Sequence, residues 1–132
     1  MTVGVSTTNV ANRWLDAIRS GGSTFTVVAG TFVKLHTADP GASGATAAAC
    51  VTALRVASPT AAASSGSITI NGTNPSWTNG GTSETISHIS VWDASTAGNF
   101  LYSAALSTPQ AWVSGNTFTL TSLTVSITPL AA

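Results

Sequence analysis

Charge is what this 132-residue sequence has least of. Four basic residues (Arg13, Arg19, Lys34, Arg55) and four acidic ones (Asp16, Asp39, Glu84, Asp93) make up 6% of the chain and cancel to a formal net charge of zero. Roughly a quarter of the residues of an ordinary soluble domain are charged. With no basic stripe to neutralise phosphates, nucleic acid is not an expected partner. Near-zero charge also removes the self-repulsion that keeps copies apart, which points toward association. The surface must instead be made polar by Ser, Thr, Asn and Gly, in runs such as Ser6-Thr7-Thr8 and Thr117 to Thr121.

Cysteine is nearly missing too. Cys50 is the only one, so no intrachain disulfide can form, which suits assembly in cytoplasm. It lies in the run Ala47 to Val51 and reads as a small buried hydrophobe. Met1 to Val5 lacks the basic and apolar regions of a signal peptide, and no run of about eighteen apolar residues occurs. No membrane contact is expected.

The residues that carry most enzyme chemistry are equally sparse. Two histidines, His36 and His88, could join Asp39, Asp93 and a hydroxyl in a triad, but no Gly-x-Ser-x-Gly nucleophile frame is present. The same four residues do not follow any structural zinc spacing and lack a thiolate pair. His36 shares its strand face with Lys34 and reads as a solvated or hydrogen-bonding residue, and His88 as a satisfied, half-buried one. The expectation is a non-enzymatic protein with no cofactor and no metal.

What is present is mostly strand-and-turn punctuation. Val10, Trp14, Leu15 and Ile18 recur at helical spacing, so a single amphipathic helix is predicted over about 9–20. Thr7, Thr8 or Asn9 would cap it, Arg13 and Asp16 would pair on its polar side, and Gly21-Gly22 would end it. Strands are predicted near Thr24 to Val28, Thr31 to Thr37, Val51 to Ala57, Ser67 to Ile70, Glu84 to Trp92, Phe100 to Leu106, Ala111 to Val113 and Thr117 to Thr128. A parity slip near Ser122 fits a bulge or bend. Ala38 to Ala49 and Ser58 to Gly66, poor in large side chains, read as mobile or partner-ordered loops. The fold class is therefore all-β, a mainly antiparallel sandwich or partly closed barrel of about eight short strands with one N-terminal α-helix, over residues 1–132 as a single domain.

Tryptophan is the conspicuous large residue, at positions 14, 77, 92 and 112. Trp92 follows Ile89 and Val91 in a strand and reads as core. Trp77 and Trp112 are flanked by loop-forming residues, which places them near an edge or an interface, or on a sugar-binding platform. Trp14 and Ile18 need a cover, from the chain's own sheet or from a neighbour. These four, Trp14, Ile18, Trp77 and Trp112, form the candidate assembly interface. Arg55, a cation in an otherwise apolar strand, is the candidate structural cation, expected to meet a carboxylate or backbone carbonyls.

Leu35-His36-Thr37-Ala38-Asp39-Pro40-Gly41, then Arg55, then Ile86 to Ala94 and Gly98-Asn99-Phe100-Leu101 together resemble small virion proteins of tailed phages, especially those infecting actinobacteria. The similarity spans Asn9 to Ile127 and departs from the common pattern at Leu54, where an aromatic residue usually precedes the arginine. The resemblance implies a structural role in the particle: a decoration or minor capsid protein that cements the outer shell surface. Its partners would be the major capsid protein and further copies of the chain, with trimers as the arrangement by analogy. The alternative it implies is a minor tail or tail-fibre component binding host-surface glycan through Trp77 or Trp112.

Overall fold

The computed structural model describes residues 3–20, 31–48 and 54–127. The chain opens as an extended lead-in, coils through a π-helical turn at Thr7–Ala11 and continues as helix α1, Asn12–Ser20. The cap is Ser6, whose Oγ accepts the Asn9 N–H at 3.3 Å. Its carbonyl takes the N–H groups of Val10 and Ala11 at 3.1 and 3.0 Å. The helical coil thus starts at Thr7, ahead of the expected position. Asp16 pairs with Arg19, at 3.2 Å and in the open, a geometry worth little stability. The predicted stop at Gly21-Gly22 and the strand Thr24 to Val28 lie outside the described residues, as does Cys50.

Among the described residues eight strands follow: β1 (Phe32–His36), β2 (Val56–Ala57), β3 (Ser67–Thr69), β4 (Ser76–Thr78), β5 (Glu84–Trp92), β6 (Phe100–Trp112), β7 (Thr117–Thr119) and β8 (Thr124–Ser126). All pairings are antiparallel. They make a four-stranded sheet in the order β2-β1-β5-β6 and two ribbons, β3-β8 and β4-β7. The all-β class with one N-terminal helix is as expected, and among the described residues no sheet closes into a barrel.

Alternation along β1 and β5 divides the large sheet into two faces. Val33 and Leu35 stand opposite Val91 and Ile89, which stand opposite Tyr102 and Ala104. This face, with Trp77, Trp112 and Leu120 packed over it, is the main apolar core. The other face carries Lys34, His36, His88, Ser90 and Trp92. The segment 38–48 is ordered over part of it, contrary to its reading as a mobile arm. Gly44 sits so close to the Phe100 ring that any Cβ would overlap it, and its φ of +69° suits glycine alone. Small side chains here permit close backbone approach. Ser58 to Gly66 is held as well, by backbone bonds from Ala61 to Thr69 and between Ser64 and Ser67.

Two departures from the predicted strands concern β6 and the C-terminal segment. The runs Phe100 to Leu106 and Ala111 to Val113 form one strand, interrupted in register: the four residues Leu106 to Pro109 stand opposite the single residue Ser87. Pro109 tolerates this place because it needs no ladder partner for a missing N–H. Thr117 to Thr128 divides into β7 and β8, with the break at Leu120 to Leu123, where the parity slip lies. β4 is not among the strands expected from the sequence. It is only three residues long, and its pairing with β7 is visible only in three dimensions.

Candidate functional site

Helix α1 is amphipathic because its apolar residues fall on one arc. At about 100° per residue, Trp14, Ile18 and Leu15 lie on one side and Arg13, Asp16 and Arg19 on the other, with Val10 in the π-helical turn ahead of them. Val10 packs against the core. Beyond it, among the described residues, the arc is exposed: Trp14 is 43% exposed, Leu15 59% and Ile18 69%. α1 packs mainly on the turn that precedes it. Three adjacent large apolar side chains on one helix face form a contiguous patch, unlike single exposed hydrophobics scattered over a surface. Of the four residues expected at an interface, Trp14 and Ile18 are thus together and accessible.

Trp77 and Trp112 are placed differently. Both are core residues, 4% and 2% exposed, so neither ring is presented at an edge or as a sugar platform. Both indoles are satisfied by backbone carbonyls, that of Trp112 from its own loop and that of Trp77 from a distant segment. Trp77 Nε1–H donates to the Leu54 carbonyl at 2.7 Å and its ring packs against Phe118. Trp112 Nε1–H donates to the Asn116 carbonyl at 2.9 Å. Buried Asn79 ties this corner together: its Nδ2 donates to the carbonyls of Trp112 and Thr82 at 2.7 and 3.0 Å, and its Oδ1 accepts from Gly81 N–H at 2.9 Å. Nothing in sequence singled out Asn79, although Asn-Gly-Gly is the kind of turn such a side chain closes.

Arg55 lies over the polar face of the sheet. Its guanidinium stands 3.6 Å from the centre of the Trp92 ring. Its Nη1 donates to the Ala94 carbonyl at 3.2 Å and to that of Ala97. Partial burial lowers its pKa, while the Asp93 carboxylate acts in the opposite direction. Asp93 closes the same turn, accepting from the Asn99 backbone N–H at 2.6 Å and from Asn99 Nδ2 at 2.8 Å. A Cβ at Gly98 would overlap the Asp93 carboxylate.

His36 is fully buried, so of its two expected settings, solvated or hydrogen-bonding, the second holds. Its Nδ1 lies 2.8 Å from the Thr46 carbonyl and its Nε2 2.7 Å from Ser90 Oγ. Trp92 Nε1–H donates to the same hydroxyl at 2.8 Å. Burial, chiefly, pushes the His36 pKa below its usual value, and nearby Lys34 and His88 act in the same sense. His88 is half-buried, with Nδ1 2.8 Å from Ser87 Oγ. Among the described residues no group of three or more His, Cys, Asp or Glu is arranged to hold a metal ion. A groove of about 670 Å³ runs between β6 and the segment 116–124, over Leu106, Phe118, Leu120 and Leu123, and no charged side chain lines it. No helix among the described residues is long and apolar enough to cross a membrane.

The β-rich scaffold thus carries an exposed apolar helix face, and its polar side chains at Asn79, Asp93 and Arg55 are engaged in holding turns. Residues 4–128 match the protein-family model described as "Podophage GP4 fiber I protein gp80". That match spans nearly the whole chain, which therefore belongs to this family and is a phage virion structural protein. No curated protein matches the chain.

Proposed function

We propose that this chain is a fibre subunit of the phage particle that works by joining further copies of itself, with the apolar face of α1 as the contact between copies. The observation that carries this reading is the exposure of Trp14, Leu15 and Ile18 side by side. The family description supports a fibre over the capsid decoration that the sequence first suggested. A fibre is built of repeated subunits, so the partner of an unpaired face is most simply the same face of another copy. Zero net charge puts no repulsion in the way. A threefold cluster suits the patch, because its arc of about 100° from Trp14 to Leu15 is wider than a single two-helix seam covers. Glycan binding through Trp77 or Trp112 is no part of this reading, since both rings are buried.

Light scattering on the purified chain, with and without Ile18→Asp, tests self-association. A multimer that the substitution reduces to monomer supports the contact, and a wild-type monomer at all concentrations sinks it. Copy number per particle tests the location. A handful of copies supports a fibre, whereas hundreds would return the chain to the capsid surface with the major capsid protein as partner.

A further inference from the structure

The polar face of the large sheet holds a directed hydrogen-bond relay. A carbonyl only accepts, so at the Thr46 contact His36 Nδ1 carries the hydrogen. An indole N–H only donates, so Ser90 Oγ accepts from Trp92. The Ser90 hydroxyl hydrogen is then free to point at His36 Nε2, which in the neutral ring is the acceptor. The relay runs Trp92 to Ser90 to His36 to Thr46. It is complete only for neutral imidazole with its hydrogen on Nδ1.

Its two ends hold two separate pieces of backbone. Thr46 belongs to the segment 38–48, which His36 and Thr37 clip to the sheet: Thr37 N–H donates to the Ala47 carbonyl at 2.9 Å, and His36 bridges Ala48. Trp92 is the platform on which Arg55 rests while it grips the 93–99 turn. We propose that His36 is an acid-sensitive latch that joins the segment 38–48 to the turn after β5, closed when the imidazole is neutral and opened by its protonation.

A second proton would have to sit on Nε2. Ser90 would then accept from both Trp92 and His36, and its own hydrogen would be left without a partner in a fully buried site. The charged groups facing the ring do not offset the new charge. β1 brings Lys34 and β5 brings His88, both of like sign. The covering segment brings Asp39, whose Oδ1 accepts from the Gly41 N–H at 2.8 Å and whose Oδ2 is buried without a hydrogen-bond partner; the charges that act on His36 are those of Lys34 and His88. The edge segment brings Arg55, and β6 brings no charged group. A buried unpaired charge is relieved by reaching water. The segment 38–48, exposed at Ala45 to Ala48, is the cover that can lift.

Imidazole NMR on the full chain, followed from pH 8 to 4 together with hydrogen exchange corrected for intrinsic rates, tests the latch. The expected result is a His36 midpoint below that of an exposed histidine. Protection of the Thr37 amide and of the Trp92 indole N–H should fall with the same midpoint, while the Ala61 and Ile70 amides stay protected. His88→Gln, which removes a like charge, should raise the His36 midpoint slightly while Thr37 and Trp92 still follow it, and Ser90→Ala should raise the His36 midpoint by weakening the neutral form. A His36 that titrates without any change at Thr37 and Trp92 would overturn the proposal. So would acid opening of the segment that persists in a folded His36→Gln variant; if that variant does not fold, the Ser90→Ala shift decides.

Discussion

Arg55 and Trp92 form a stack in which the guanidinium covers the ring at 3.6 Å and, past its edge, reaches the carbonyls that shape the 93–99 turn. Both halves of the guanidinium's character are used, its flat polarisable face and its fork of donors. Arg55→Ala should therefore lower stability by about 1–2 kcal/mol. Arg55→Lys, which keeps charge but not the planar fork, should recover less than half of that. Denaturant unfolding of the three proteins measures this, and a lysine variant equal to wild type would show that charge alone matters.

Gly44 and Gly115 form a natural control pair. Both have positive φ, +69° and +84°, but only Gly44 faces an obstacle, the Phe100 ring. Gly115→Ala should cost about 1 kcal/mol from backbone conformation alone. Gly44→Ala should cost at least 1–3 kcal/mol more, an approximate range for overpacking. Equal melting temperatures for the two variants would contradict the close approach of the segment 38–48 to Phe100.

Acid should weaken the protein. His36 is held neutral, with its folded pKa below the unfolded value. Below the unfolded value, near 6.5, the unfolded chain therefore binds more protons than the native one. The His36 contribution is intact at and above neutral pH and is lost as pH falls from about 6.5 toward the lower folded value. Melting temperature measured between pH 8 and 4 in wild type and His36→Gln should show a steeper acid loss in the wild type. Tyr102, pushed up to about 12 by burial, works at the opposite end: folding should weaken only above about pH 10, where the unfolded phenol ionises.

The tryptophans should separate into two kinds. Trp77→Ala and Trp112→Ala should each cost about 3–5 kcal/mol, as for any large buried ring, and Asn79→Ala about 1–3 kcal/mol for the carbonyls and N–H it leaves unpaired. Trp14→Ala and Ile18→Asp should change monomer stability by less than about 0.5 kcal/mol yet reduce association. Chemical unfolding beside light scattering distinguishes these. A large stability loss at Trp14 would mean that α1 is fastened to the body.

What was legible in the sequence was local. Trp14 and Ile18 repeat at helical spacing and Glu84 to Trp92 alternates, so the helix and the central strand could be placed from pattern alone. Burial of Trp77 and Trp112 could not, because it depends on Asn79 drawing two loops inward, and short polar loops look alike whether they fold in or out. The same holds for His36: Lys34 beside it on the strand face suggested solvent, and only the covering segment makes the site dry. The contact between Arg55 and Trp92 joins residues 37 apart in sequence through a strand pairing that periodicity does not specify. Leu54, the departure from the phage pattern, gives its carbonyl to Trp77, a contact made by backbone and open to any side chain.

The interrupted register of β6 bears on how such subunits keep count. Its outer edge is occupied at Leu101 and Ser103 by the chain's own lead-in. Farther along, Leu106 to Pro109 swell out of line, ending in a residue with no N–H to offer. An uncharged edge strand without that kink would be an open template for endless sheet growth. With it, stacking by strand edges is frustrated at the very place where the chain is most β-prone. Under the proposed self-association through α1, growth is left to a helix face that is used up once its neighbours are in place, so that such an assembly would have a built-in last member.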